Sequence, residues 1–191
     1  MIETNIIEDN LNIWCESLLE YHVPRWEELP DIELYKDQVI TIVDKYLLPI
    51  IKVDKGSIIT SAMVNNYVKL GLIPAPKKKK YNRVHLAYLI AIGILKQVVT
   101  ISEVRDGIEY QASIKGTKIA YNMFALEQEN SIKAIVSLVS NRNIEIPTDK
   151  YSVENLALKM AAMAFANKIV AEKMVELEAP SLKIAKAKKE K

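Results

Sequence analysis

Residues 83 to 99, RVHLAYLIAIGILKQVV, are apolar on almost every face of a helix, since Leu86, Leu89, Ile90, Ile92, Ile94 and Leu95 leave no polar stripe. A surface helix keeps one polar side, so a helix without one has to be enclosed by other elements. The rest of the chain supplies them as further helices. Five glycines and seven prolines in 191 residues, with half the residues apolar, argue against collagen-like, disordered and turn-rich all-β classes. The predicted class is all-α, mainly helical, with one small two-stranded wing.

Helical spacing of Ile6, Leu11, Trp14, Leu18 and Tyr21 predicts a first helix over residues 5 to 21. A connector with Pro24 and Pro30 follows, and Asp31 is the expected N-cap of a helix reaching Leu48, with Tyr35, Val39, Ile42 and Tyr46 inward. Residues 49 to 59 form a loop. Thr60 caps a short helix, Ser61 to Leu70, which Gly71 ends. Leu72-Ile73-Pro74-Ala75-Pro76 is extended, because proline bars helix and biases its predecessor to β geometry. Four lysines come next, and a two-stranded wing is the economical arrangement for them.

Asn82 caps the enclosed helix, with Tyr81 stapled onto Leu86, and Thr100-Ile101-Ser102-Glu103 has the capping-box form for a helix to about Tyr110. Helices are also expected over 117 to 140 and 152 to 177. In the last, two seven-residue series run in parallel, Val153, Met160, Asn167, Met174 and Leu156, Met163, Val170, Leu177. One polar residue in such a seam can fix register and partner number. The stripe either packs on helix 117 to 140 of the same chain or joins two copies as a homodimer.

Charge is sharply segregated along the sequence. Residues 1 to 48 carry 3 basic and 11 acidic residues, whereas residues 49 to 105 carry 10 and 2, and no acid stands between Lys55 and Ser102. Such a block points to a polyanion, although the acidic segment could instead fold over it. Adjacent lysines repel one another for no folding gain, so Lys77, Lys78, Lys79 and Lys80 are better explained by phosphates than by the alternative, a solvated hairpin that blunts a strand edge.

Residues 60 to 104 resemble the winged helix-turn-helix of MerR-type regulators. Tyr67 with Gly71-Leu72-Ile73 matches the Y-E-x-x-G-L-L signature, Lys79-x-Tyr81 the R-x-Y, and Leu86, Leu89, Leu95-Lys96 and Ile101-Ser102-Glu103-Val104 the following helices. A longer stretch, from Trp26-Glu27-Glu28-Leu29-Pro30-Asp31 to about Val104, is similar to the bacterial family called domain of unknown function 1836, a name that carries no activity. The chain departs from the MerR pattern at Asn65-Asn66, where that pattern has Arg-Tyr, at Val68, where it has Glu, and at Lys77-Lys78, where a longer wing turns on glycine. Phosphate gripping by that arginine and tyrosine is therefore not carried over.

With Met63, Val64, Tyr67 and Leu70 inward, helix 61 to 70 turns Ser61, Ala62, Asn65, Asn66 and Lys69 outward. Ser61, Asn65 and Asn66 are the candidate base contacts in double-stranded DNA, since an asparagine amide offers donor and acceptor to an adenine edge. Lys69, Lys77, Lys78, Lys79, Lys80, Tyr81 and Arg83 are the candidate phosphate contacts. Asparagine on an exposed helix face is also common without any such role.

The expected organisation is a helix and connector (1–30), the DNA-binding module (31–113), a helical oligomerisation or effector region (114–180) and a basic flexible tail (181–191). Cys15 is the only cysteine, and His22 and His85 lack ligand partners at helical spacing, so no metal, cofactor or catalytic triad is expected. No glycine-rich phosphate loop is present either, and an enzyme is not expected. An acidic N-terminus and an apolar run too short to span a bilayer predict a cytoplasmic protein without membrane contact. The expected function is sequence-specific DNA binding by a transcriptional regulator whose effector the sequence does not name. The rival is a helical adaptor whose basic wing meets an acidic protein or its own N-terminal segment.

Overall fold

The computed structural model describes residues 2–140, 142–146 and 152–189; Tyr151 and the side chains of the basic tail from Ser181 lie outside the described residues. Among them are seven α-helices: α1 (Ile2–Leu19), α2 (Lys36–Leu47), α3 (Ser61–Lys69), α4 (Arg83–Leu95), α5 (Ile101–Lys115), α6 (Thr117–Val139) and α7 (Val153–Lys189). The helix α4 is the hub, as its composition demands. Leu86, Leu89, Ile90, Ile92 and Ile94 are wholly buried, and α2, α5, α6 and α7 all contact it. Gly93 permits the close approach of α2, because a Cβ there would fall 2.4 Å from Cδ1 of Leu47.

The caps form as the local sequence dictates. Thr60 Oγ1 accepts from Met63 N–H at 3.3 Å, Asn82 Oδ1 from Val84 N–H at 3.1 Å, and Thr100 exchanges bonds with Glu103. The helix α3 closes with the paired bonds Leu72 N–H to Tyr67 C=O (2.8 Å) and Gly71 N–H to Val68 C=O (3.1 Å), for which Gly71 takes φ +69°. The helix α4 stops at Leu95, four residues short of the expected end, and α5 runs on to Lys115 instead of Tyr110.

Asp31 does not cap α2. Leu34 is held extended by two bonds with Tyr81, N–H to C=O at 2.8 Å in each direction, so α2 starts only at Lys36. Tyr35 in consequence faces outward, 58% exposed, and the buried stripe is Val39, Val43 and Leu47. On α3, Met63 and Leu70 are likewise exposed, and only Val64 and Tyr67 are buried.

The expected wing is smaller than two strands. Among the described residues there are two isolated bridges, Leu34 with Tyr81 and Lys77 with Lys80. Between them Lys80 N–H bonds Lys77 C=O at 2.8 Å, and Lys78 and Lys79 sit at φ +48° and +63°. Two successive positive φ values are the signature of a type I′ hairpin turn, whose twist matches that of the flanking chain. The lysines therefore crowd one turn tip and do not alternate along a strand.

The helix α7 packs chiefly on α6, and Ala162, Phe165, Ala166 and Ile169 form its buried face. These residues lie across the helix from the heptad seam, and Val153, Leu156, Met160 and Met163 are all at least 40% exposed. The seam thus faces outward from Val153 to Asn167, whereas Val170 is buried and Met174 and Leu177 are half-buried. The backbone of α7 continues as helix through Pro180 to Lys189. No helix among the described residues is long and apolar enough to cross a membrane.

Candidate nucleic-acid interface

Two parts of the predicted interface come together at Tyr35, which the sequence pattern set in the core, and at Lys36, which that pattern did not single out. Lys36 Nζ donates to Asn65 Oδ1 on α3 at 3.1 Å, and Lys80 Nζ lies 3.2 Å from the centroid of the Tyr35 ring. Because the two anchors are consecutive, one short stretch of backbone touches both the outward face of α3 and the lysine turn. The Leu34 to Tyr81 bridge fixes that geometry from behind, joining the start of α2 to the exit of the turn.

On α3, Ala62, Asn65, Asn66 and Lys69 are exposed and Ser61 is half-buried. With the Asn65 carbonyl oxygen taken by Lys36, its amide group is left to donate. Lys77, Lys78 and Lys79 are exposed, while Lys80 is partly covered by Tyr35. The described residues place no carboxylate in ion-pair contact with Lys69, Lys77, Lys78, Lys79 or Lys80. Of the acidic N-terminal segment, Glu16 pairs with Arg142 (2.7 Å), Glu28 with His22 (2.7 Å) and Glu27 with Lys118, and Asp31 alone reaches a candidate contact, Arg83, among the described residues.

Two of the predicted phosphate contacts are placed differently. Tyr81 is 5% exposed and packs edge-on against His85, ring centroids 5.1 Å apart, and burial raises its phenol pKa. Arg83 donates from Nε to Leu29 C=O at 3.0 Å and faces Asp31 at 3.6 Å, so it ties α4 to the connector. Nearby Lys96 is also structural, donating to Ile58 C=O at 2.7 Å, and burial lowers its pKa.

Residues 24–124 match the family model of a domain of unknown function, DUF1836. The chain belongs to that family. No curated protein and no solved structure matches it. The DUF1836 region extends beyond the stretch legible as a resemblance, taking in all of α5 and the first part of α6. It contains every candidate contact and also the connector that holds Tyr35 and Lys36 in place.

Sequence reasoning missed Lys36 because it stands in the strongly acidic segment, where charge counting hides a single cation. Its relevance comes from the chain folding back through Leu34, and no local pattern announces that pairing.

Proposed function

We propose that this protein is a DNA-binding regulator of the winged-helix kind, with α3 in the major groove and the lysine turn on the flanking backbone. One observation carries the proposal: Lys78 and Lys79 occupy left-handed backbone positions, in a turn whose Lys80 meets Tyr35 next to the Lys36 that bonds Asn65 of α3, without an acidic partner among the described residues. A left-handed conformation costs a residue with a Cβ about 1–2 kcal/mol, and glycine or asparagine would avoid much of that cost. Keeping lysine there sacrifices stability for a concentrated positive tip, and a polyanion is the partner such a tip suits. Short, uncharged Ser61, Ala62, Asn65 and Asn66 suit entry into a groove, where Asn66 offers donor and acceptor to an adenine edge and Asn65 offers its donor.

Titration of a mixed-sequence DNA duplex at two salt concentrations tests this. Four phosphate contacts, from Lys69, Lys77, Lys78 and Lys79, give a slope of log K against log salt of about −3.6. A flat response, or no binding at 50 mM salt, sinks the proposal in favour of a protein-binding adaptor.

The outward seam of α7 supplies the second half of this reading, a homodimer that presents two α3 helices to a two-fold site. Its heptad spacing, with Asn167 as the single polar position, fits a second copy of the same helix. Sedimentation equilibrium at micromolar concentration is expected to give twice the chain mass. Met160→Glu with Met163→Glu is expected to return the monomer mass, and a monomeric unmodified protein rejects the seam.

A further inference from the structure

A cavity of about 450 Å³ lies where α4, α5, α6 and α7 meet. Its origin is compositional. Ala87 and Ala91 on α4, Ala120 on α6 and Ala157 and Ala161 on α7 put small side chains on converging helices, and Gly107 on α5 adds none, so the helices meet without filling the space between them. Leu95, Ile108, Phe124 and Leu158 make the walls apolar. A space of this size matches the range of small-molecule sites, about 300–1,000 Å³.

Its polar lining consists of the hydroxyls of Tyr88, Tyr110, Thr117 and Tyr121, the last buried without a partner among the described residues and its ring set against Trp26 and Phe124, together with two acids and one amide. The lining residues include no Lys, Arg or His, and the two acids present, Glu103 and Glu154, are already engaged. Glu103 accepts from Thr100 N–H and Oγ1 at 2.7 Å each, and Glu154 faces Lys115 at 3.5 Å. Gln111 differs. Its Nε2 donates to Glu154 C=O at 2.6 Å, which fixes the orientation of the amide, and its Oε1 is buried without a partner among the described residues. A buried acceptor of this kind is costly to leave unpaired, and a donor arriving in the cavity would satisfy it.

We propose that this cavity binds an uncharged aromatic or alicyclic molecule bearing one O–H or N–H group, which donates to Gln111 Oε1. The apolar walls take the ring system. An anion is excluded, because it would lose its hydration where no cation compensates it. The inference does not depend on whether the chain binds DNA, and its test contains none.

Calorimetric titration of the full chain with three naphthalenes of matched shape tests both parts. 1-Naphthol is expected to bind saturably. 1-Methoxynaphthalene, which cannot donate, is expected to bind about 10-fold more weakly, the cost of one unmade hydrogen bond. 1-Naphthoate is expected to bind at least about 100-fold more weakly than the naphthol. Gln111→Leu should bring naphthol and methoxynaphthalene to equal affinity while both still bind, and Ala161→Phe should abolish binding by filling the space. Absence of saturable naphthol binding, equal affinity of the ether in the unmodified protein, naphthoate binding as well as naphthol, or an Ala161→Phe protein that binds unchanged would each overturn the proposal.

Discussion

Replacing Lys78 by asparagine and Lys79 by glycine is expected to make the protein more stable and, at the same time, a weaker binder of any DNA duplex. The two effects separate because they arise from different atoms. Both residues hold positive φ, +48° and +63°, in a turn closed by the Lys80 to Lys77 bond. Asparagine followed by glycine is the favoured pair for that geometry, and relief of left-handed strain, less the chain entropy glycine adds to the unfolded state, is worth about 1–2 kcal/mol. Removing two phosphate contacts lowers log K by about 0.9 per contact per decade of salt, so affinity at 0.15 M salt falls about 30-fold and the salt slope loses about 1.8. Alanine would be a poorer choice, since it also dislikes positive φ and would confuse lost charge with a damaged turn. Thermal unfolding and a salt-dependent DNA titration on the same preparation read both signs. If stability rises and affinity stays within twofold, the lysines are a solvated turn and the wing leaves the mechanism.

How much of this was legible beforehand depends on whether a feature is local. The enclosed helix α4, the Thr60, Asn82 and Thr100 caps and the Gly71 ending of α3 are written within a few residues each, and all are present. The start of α2 was misplaced because a bond between Leu34 and Tyr81, far apart in sequence, overrides the local capping signal at Asp31. That one pairing also moves Tyr35 from the core to the surface and sets Lys36 beside Asn65, which is why the link between the two parts of the candidate interface could not be seen in the sequence. The orientation of α7 was ambiguous for another reason. Its alanines count as apolar on every face, so the heptad series stood out as the stripe that would meet α6 or a second copy, while the face of Ala162, Phe165, Ala166 and Ile169 that is in fact buried drew no notice. Volume decides the orientation: Phe165 fills the interior, whereas Met160 and Met163 remain outside.

The connector that makes these long-range pairings possible is held by Glu129 on α6, and Glu129→Gln is expected to lower the midpoint of thermal unfolding at pH 7 by about 5–10 °C. The carboxylate accepts from Arg25 Nη1 at 2.8 Å and Nη2 at 2.7 Å and from Val23 N–H at 2.9 Å, with His22 Nδ1 at 2.9 Å. Its side chain is 10% exposed and that of Arg25 27%, so the pair is largely withdrawn from water. Removing one charge leaves the other half-buried and poorly matched, a loss of about 2–3 kcal/mol, and about 2–4 °C accompanies each kcal/mol in a chain of this size. Burial by itself would raise the Glu129 pKa, but the Arg25 and Val23 hydrogen bonds and the nearby Arg25 and His22 outweigh it and hold the carboxyl below its usual range. A depressed carboxyl contributes its stability in full above the unfolded value of about 4.3 and loses it as pH falls through the lower folded value. Protonated glutamate resembles glutamine in shape and charge, so the difference between the two proteins should narrow as the pH drops from 7 to 3. A gap that stays constant over that range would mean that Glu129 acts through packing alone. The consequence reaches the interface, because the same connector delivers the Leu29 carbonyl to Arg83 and Leu34 to Tyr81. Loosening Glu129 therefore frees the lysine turn from α3 without touching either one.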